Sequence, residues 1–267
     1  MKNLIQLQLR SFFKFKNIII FTASVLFYLC LQLLRLNQQG DIYNLKINVI
    51  DFIFFALGGW QEPITFPFIL SWVFLNFIFV YISIILATNM DELTLFIIHR
   101  VQNRTKLWIT HCVSQLLLSI LLTLFVLLIT TIVGSLFFQT TWQYSSYSSS
   151  FYALWTENNI SITNSFLVIA SVLFSGWSAL FIFIQFILRL SFSKINAVMA
   201  VVTVVIFTTI AHVFGFIPRV LSPFLFMSSL SILPNPLNIL LAIGFNISFT
   251  IIFIITGMFL FRKQEIR

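Results

Sequence analysis

The chain has 267 residues, of which 60% are hydrophobic and 8% are charged, and its mean hydropathy is +1.04. This composition excludes an ordinary soluble domain, and the long unbroken apolar runs exclude an outer-membrane barrel, whose strands alternate polar and apolar residues. The net charge of +8 comes from Lys and Arg residues at the ends of apolar segments, which argues against a nucleic-acid partner. The sequence therefore predicts an all-α polytopic membrane protein.

Residues 1–17 mix apolar and basic side chains, with Arg10, Lys14 and Lys16 before the first apolar run. This pattern predicts an amphipathic helix on the inner membrane surface, and a merely basic tail is the alternative. The segment lacks the pattern of a cleaved signal peptide. The first span, at residues 18–34 before Arg35, is therefore expected to remain in the mature protein.

Residues 36–66 are more polar and contain an apolar stretch at residues 47–60 that is interrupted by Asp51. That stretch is too short to cross the hydrocarbon layer, which needs roughly 17 to 25 residues. It is expected to be interfacial or re-entrant. If it crossed the membrane, the later topology would invert.

Five further apolar runs predict spans at residues 67–87, 108–138, 165–188, 195–217 and 237–261, which makes six in all. The run at 108–138 is longer than a bilayer requires, so it must tilt or project. Residues 139–164 form a polar exterior loop in this arrangement. Because short cytoplasmic segments carry an excess of Lys and Arg, the orientation with both termini in the cytoplasm is favoured: it leaves only Arg35, Lys46 and Arg219 outside.

A charged segment at residues 89–106 separates the second and third spans. Asp91 and Glu92 suit the first turn of a helix, apolar residues including Leu95 and Phe96 follow, and a basic end precedes Trp108. From pattern alone an ordinary cytoplasmic loop is favoured over a helix that contacts another protein. The candidate contact residues are Asp91, Glu92, Leu95, Phe96, His99, Arg100, Arg104 and Lys106.

The segment between the fifth and sixth spans, residues 218–236, is apolar but rich in proline. It predicts a pair of short re-entrant helices rather than a plain exterior loop, because such a loop normally carries more polar residues. His212 lies just before this segment, and a hydrogen-bonded structural histidine is favoured there over a functional group. The candidate gate or pathway residues are His212, Pro218, Arg219, Pro223, Pro234 and Pro236.

Enzyme and metal signatures are missing from the sequence. No glycine precedes a lysine, so a phosphate-binding loop of the Gly-Lys-Ser/Thr type is excluded. The three histidines and two cysteines do not have ligand spacing. Five polar residues within the spans are expected to form hydrogen bonds between helices: Gln32, Asn76, Gln115, Gln185 and Asn246.

The order of an amphipathic N-terminal helix, six spans, a charged cytoplasmic segment and a proline-broken outer segment resembles the ABC-2 type transporter permeases, over the whole chain. The likeness is greatest to small Gram-positive permeases that export amphipathic peptides such as phenol-soluble modulins, or that confer bacteriocin immunity. In these the loop after the second span often has an Arg, a Gly-Ser-like pair, a second Arg and an aromatic. Here Arg100, Arg104 and Trp108 keep the spacing, whereas Gln102 and Asn103 replace the Gly-Ser pair.

The resemblance implies a non-catalytic subunit with a type V exporter fold and no cofactor of its own, since ATP and Mg²⁺ bind a separate ATPase present in two copies. It implies that residues 89–106 form the coupling helix, with Glu92, Phe96 and Arg100 as the best contacts, and that residues 1–17 form the elbow helix. Two permeases, identical or related, would build the pathway through the cell membrane. The Phe-rich spans favour a hydrophobic or amphipathic peptide as cargo. The alternative is an immunity or scaffold protein that sequesters a peptide without ATP.

Overall fold

The structure is a computed structural model that describes residues 5–6, 9–10, 13–58, 73–85, 104–141, 143, 145–151, 162–190, 194–213 and 236–263. These residues form helices and connecting segments, and no strand occurs among them apart from an isolated bridge between Asn48 and Gln139. The named helices are α1 (Phe15–Tyr43), α2 (Val49–Leu57), α3 (Val73–Ile85), α4 (Arg104–Phe137), α5 (Ser146–Phe151), α6 (Ile162–Leu190), α7 (Lys194–Val213) and α8 (Pro236–Lys263).

Four of these helices, α1, α4, α6 and α8, are long and apolar enough to cross a membrane. Their mean hydropathies lie between 2.0 and 2.9. The predicted spans at 18–34, 108–138, 165–188 and 237–261 each overlap one of them. The coarse prediction of a helical chain with membrane-spanning segments is therefore confirmed.

The other two predicted spans overlap shorter helices. Residues 67–87 include α3, and residues 195–217 include most of the 20-residue α7. Residues 67–72, 86–87 and 214–217 lie outside the described residues. The six-span arrangement is accordingly part of the proposal made below.

Helix α1 continues past Arg35 to Tyr43, because a charged side chain near a membrane surface leaves the backbone hydrogen bonds of a helix intact. Its end is set by Asn44, which adopts the left-handed conformation with φ of 51°, and asparagine tolerates this conformation better than most residues. The chain then turns back, and the Leu45 N–H donates to the Gly40 carbonyl at 3.0 Å. Ile47 packs so closely on Gly40 that a side chain at position 40 would displace it.

The apolar stretch at 47–60 contains the nine-residue helix α2, and all nine of its residues are buried. Helix α2 runs back along α1, so that the Ala56 carbonyl accepts a hydrogen bond from the Tyr28 hydroxyl at 2.5 Å. The Tyr28 ring also stacks on Phe74, at the start of α3, with ring centroids 6.5 Å apart. The end of α2 and the start of α3 thus meet the same residue in the middle of α1. Whether residues 47–60 are interfacial or re-entrant stays open, because burial among the other helices is compatible with both.

Helix α6 lies at the centre of the bundle. Of its apolar window 67% is buried, against 22% to 39% for the corresponding windows of α1, α4 and α8. An aromatic column links the elements around it: Phe21 of α1 contacts Phe125 of α4 and Phe79 of α3, with centroids 5.7 and 5.9 Å apart, and Phe79 stacks on Trp177 of α6. Such aromatic pairs add to the stability that burial provides.

Candidate functional site

The structure describes only the basic end of the predicted ATPase-coupling segment. Arg104 is the first residue of α4, and Lys106 is exposed in its first turn. The remaining predicted contacts lie outside the described residues: Asp91, Glu92, Leu95, Phe96, His99 and Arg100.

The predicted gate is also mainly outside the described part of the chain. Pro218, Arg219, Pro223 and Pro234 are not described, whereas His212 belongs to the last turn of α7 and Pro236 is the first residue of α8. Proline is well suited to the first position of a helix, where its missing N–H has no intrahelical acceptor to lose. Of the predicted elbow, residues 5–6, 9–10 and 13–17 are described, and α1 already begins at Phe15.

Next to the charged segment, Trp108 fixes the start of α4 to α8. Its indole N–H donates to the Ile254 carbonyl at 2.8 Å, and its ring lies 4.9 Å from that of Phe261. Gly257 provides the space, since a Cβ atom there would overlap the rigid indole. We call this contact the inner anchor; it also packs against Cys112, Ile182 and Phe186.

At the opposite end of α4, a set of hydrogen bonds holds the segment after α4, which the sequence predicts to be an exterior loop, onto α2; we call this set the outer latch. Asn48 and Asp51 form a capping box: the Asp51 N–H donates to Asn48 Oδ1 at 3.0 Å and the Asn48 N–H donates to Asp51 Oδ2 at 2.8 Å. The Ser148 hydroxyl donates to Asp51 Oδ1, and the Asn48 amide Nδ2 donates to the Gln143 carbonyl. The loop therefore completes the cap of a buried helix.

Three further hydrogen bonds extend the outer latch to its neighbours. The Lys46 N–H donates to Ser146 Oγ at 3.0 Å, and the Val49 N–H donates to the Gln139 carbonyl at 3.2 Å. The Tyr147 hydroxyl donates to Gln39 Oε1 of α1 at 2.6 Å. The ends of α1 and α4 and the start of α2 are thus joined through residues 139–151.

Asp51 is buried with an exposed fraction of 0%, although the sequence showed it only as an interruption of the apolar stretch at residues 47–60. The outer latch adjoins Gln139, which is 31 residues beyond Trp108. A helix of that length extends about 46 Å, which exceeds the roughly 30 Å thickness of the hydrocarbon layer. If Trp108 lies at a membrane surface, as the sequence predicts, the latch lies beyond the hydrocarbon. Burial raises the pKa of the Asp51 carboxyl, and hydrogen bonds from Ser145, Ser148 and Asn48 oppose that rise.

A line of buried polar residues runs along the facing sides of α4 and α6, and we call it the polar seam. The oxygens of Ser119 and Ser178 lie 2.7 Å apart across it. On the other side of α6, the Asn246 amide donates to Ser175 Oγ at 3.2 Å, which confirms the prediction that Asn246 bonds between helices. The seam consists of His111, Gln115, Ser119 and Thr123 on α4 and of Ser178 and Gln185 on α6.

Several buried polar atoms have no hydrogen-bond partner among the described residues. They are Nε2 of Gln185, Nε1 of Trp177, Oγ of Ser83 and both amide atoms of Gln32. Gln32 and Gln185 therefore lack, at these atoms, the interhelical bonds that the sequence predicted. Three of the four residues, Gln185, Trp177 and Ser83, belong to α6 or α3 near the polar seam. Burying each of these polar groups without a hydrogen bond costs free energy, and an apolar side chain at the same position would not have this cost.

Sequence reasoning placed Trp108 and Gln185 correctly at a span start and within a span, but it did not identify the outer latch. The spacing of Asn48 and Asp51 is a local capping signal, whereas Ser148 is almost a hundred residues away and carried no signal. Within the described residues, no group of three or more His, Cys, Asp or Glu could hold a metal ion.

No family model, no curated protein and no solved structure matches this chain.

Proposed function

We propose that this chain is the membrane-spanning subunit of an ABC-2 type exporter and that separate subunits supply ATP hydrolysis. In this proposal the chain crosses the cell membrane six times with both termini in the cytoplasm, and it pairs with a second permease. Residues 1–17 form its elbow helix and residues 218–236 its outer re-entrant segment. The cargo is a hydrophobic or amphipathic peptide.

The inner anchor is the observation that supports this proposal best. A subunit without an ATP site needs a contact through which a partner can move its spans. The charged segment leads directly into α4, and four residues after Arg104 the Trp108 indole holds α4 to the Ile254 backbone of α8. A displacement of the charged segment would therefore act on two spans together rather than on one loop.

The arrangement of charge supports the same function. The charged segment contains both carboxylates and cations within an otherwise apolar chain, and such a surface suits a soluble protein partner on the cytoplasmic side. The apolar spans suit a cargo that is itself apolar on one side. ATP and Mg²⁺ belong to the partner chain.

The first experiment purifies the tagged chain from its own membranes in mild detergent and measures ATP hydrolysis together with the co-purifying proteins. We expect an ATPase to accompany the unaltered chain. We expect Glu92→Arg combined with Phe96→Ala to leave the chain inserted in the membrane but to reduce the co-purified ATPase activity at least tenfold, because the change reverses charge and removes an apolar contact on one helical face.

Asp41→Arg is the matched control, because it reverses an exposed carboxylate at the far end of α1 and should leave ATPase binding intact. Undiminished co-purification with the double variant would contradict the coupling role of residues 89–106. A chain that retains a bound peptide but no ATPase would support sequestration without ATP instead. Labelling of cysteines at position 99 or 104 from outside the cell would contradict the orientation.

A further inference from the structure

We propose that the polar seam lines the inner part of the export pathway, where it opens to cytosolic water and hydrogen-bonds the peptide groups of the cargo. The cargo, the export pathway and the cytosolic side of the opening rest on the proposed function, whereas the opening of the seam to water does not.

The position of the seam follows from the packing of α4 and α6. These helices run in opposite directions, and Ser119 faces Ser178. Gln185 is seven residues beyond Ser178, which is about two turns, so it lies level with Cys112, seven residues before Ser119. The packing of Cys112 against Ile182 and Phe186 supports this register independently. The seam therefore extends from the middle of the bundle to the inner anchor.

The polar residues of α4 recur at intervals of four, which places His111, Gln115, Ser119 and Thr123 on one face. The hydroxyl groups of Ser119 and Thr123 alone would be consistent with close helix packing, since both donate to carbonyls of their own helix. The Thr123 hydroxyl, for example, donates to the Ser119 carbonyl at 2.7 Å. Packing does not account for Gln185. Its side chain is 98% buried, and its amide Nε2 has no acceptor among the described residues.

Two neighbouring groups have the same deficiency. Trp177 precedes Ser178 and stacks on Phe79 of α3, and its indole N–H has no acceptor in the described part of the chain. Ser83 lies one turn further inward than Phe79 on α3, and its hydroxyl also has no partner there. Three buried polar groups on α6 and α3 thus have no partner among the described residues. Water or a ligand that enters this region would satisfy them.

The chemistry of the seam selects the kind of ligand. Its members are amides, hydroxyls and an imidazole, and the described residues of the seam include no carboxylate and no ammonium group. Amides and hydroxyls match the N–H and C=O groups of a peptide backbone, whereas a small ion would need charged or convergent oxygen ligands. On α6 and α3, the ring of Phe79 contacts those of Trp177 and Phe181, and such rings suit the apolar side chains of the same peptide.

The test measures the reaction of single cysteines with a membrane-impermeant maleimide in inside-out vesicles. The native thiols are first replaced by Cys30→Ser and Cys112→Ser. Ser119→Cys, Ser178→Cys and Gln185→Cys report on the seam, and the serine changes are nearly isosteric. Leu117→Cys and Leu121→Cys are controls at the depth of Ser119, because these leucines are 39% and 42% exposed on the outer surface of α4.

We expect Ser119→Cys and Gln185→Cys to react at least tenfold faster than both leucine controls, because a maleimide reacts with a thiolate and a thiol in lipid stays protonated. Equal rates at Ser119→Cys, Leu117→Cys and Leu121→Cys would overturn the proposal. Preserved gel-filtration behaviour of each variant shows that the comparison is made between folded chains.

A second arm tests the cargo with a synthetic 20-residue amphipathic helix of Leu and Lys. We expect this peptide to slow the labelling of Gln185→Cys at least threefold, and a matched peptide with the same composition but scrambled order to have less effect. No protection by either peptide would overturn the peptide-binding part. Fast labelling in a chain that binds no ATPase would contradict the proposed function alone, whereas ATPase coupling without differential labelling would contradict this inference alone.

Discussion

The outer latch and the polar seam both bury polar groups in an apolar chain, but they differ in how those groups are satisfied. In the outer latch, both oxygens of Asp51 accept hydrogen bonds, and Asn48 accepts one through its oxygen and donates another through its amide. In the polar seam, Gln185 leaves its amide donor without an acceptor among the described residues.

This difference indicates two uses of polarity. A buried network in which every polar group is hydrogen-bonded stabilises one arrangement. Separating any pair would leave two buried polar groups without a hydrogen bond, which is costly. An incompletely bonded network destabilises the closed packing and favours a state in which water or a ligand enters. Substitutions in the outer latch should therefore change mainly the stability of the protein, whereas substitutions in the polar seam should change mainly its activity.

The largest effect is expected for Asp51→Ala. This change leaves the Ser148 hydroxyl and the Asn48 N–H without their acceptor and removes the Asp51 half of the capping box of α2, so the free energy of unfolding should fall by about 3 kcal/mol. Titration with denaturing detergent in mixed micelles measures the loss. Asp41→Ala, at an exposed site, is the control and should change stability little.

A matched change in the polar seam sharpens the comparison. Ser119→Ala should cost less than about 1 kcal/mol, because the Ser178 hydroxyl keeps the Phe174 carbonyl, 2.7 Å away, as its acceptor. Equal losses for Asp51→Ala and Ser119→Ala would contradict the distinction between the two regions.

A smaller effect is expected from pH. The raised pKa of Asp51 means that the folded chain holds this proton more tightly than the unfolded chain, in which an aspartate titrates near 4. The contribution of Asp51 to stability should therefore be largest below about pH 4 and decrease as the pH rises towards the folded-state pKa.

Asp51→Asn removes this titration, so its stability difference from the unaltered chain should change with pH in that window. Unfolding titrations at pH 4 to 7 measure this difference. A constant difference would show that Asp51 does not titrate with a raised pKa.

The smallest effect is expected for Gln185→Leu, and it has the opposite sign. Replacing a buried amide whose Nε2 lacks an acceptor among the described residues by an apolar side chain of similar length should raise the free energy of unfolding by up to about 1 kcal/mol. Export, measured as ATP-dependent peptide movement in reconstituted vesicles, should fall. A variant that loses both stability and export would indicate an unrecognised structural bond at Gln185.

The sequence located the long apolar helices, because apolar length is a signal that can be read directly. Residues 108–138 correspond closely to Arg104–Phe137, whereas the helix predicted at 18–34 extends over Phe15–Tyr43. The sequence also located the apolar stretch that contains α2, but it showed Asp51 as an interruption rather than as a member of the capping box of a buried helix.

The outer latch could not be predicted, because Asn48 and Ser148 meet only after α1, α2 and α4 have packed. Of the polar seam, the sequence singled out only Gln115 and Gln185 as polar residues within spans. Which side chains meet across the seam, and that Gln185 Nε2 has no acceptor among the described residues, depends on the register between helices, which no local pattern encodes. Of the predicted coupling and gate residues, only Arg104, Lys106, His212 and Pro236 are among the described residues, and the roles of all of them stay predictions.

Helix α2 has a consequence for how the chain is made. With nine residues it is too short to be retained in a bilayer as a span of its own. Its residue Phe52 packs against Gly134 of α4 and against Phe138, just after α4, both more than eighty residues downstream. During synthesis α2 must therefore wait near the membrane surface until α4 has been inserted and the loop after it has emerged. A nascent chain that ends before residue 139 should leave α2 open to added protease, and one that extends past residue 151 should protect it.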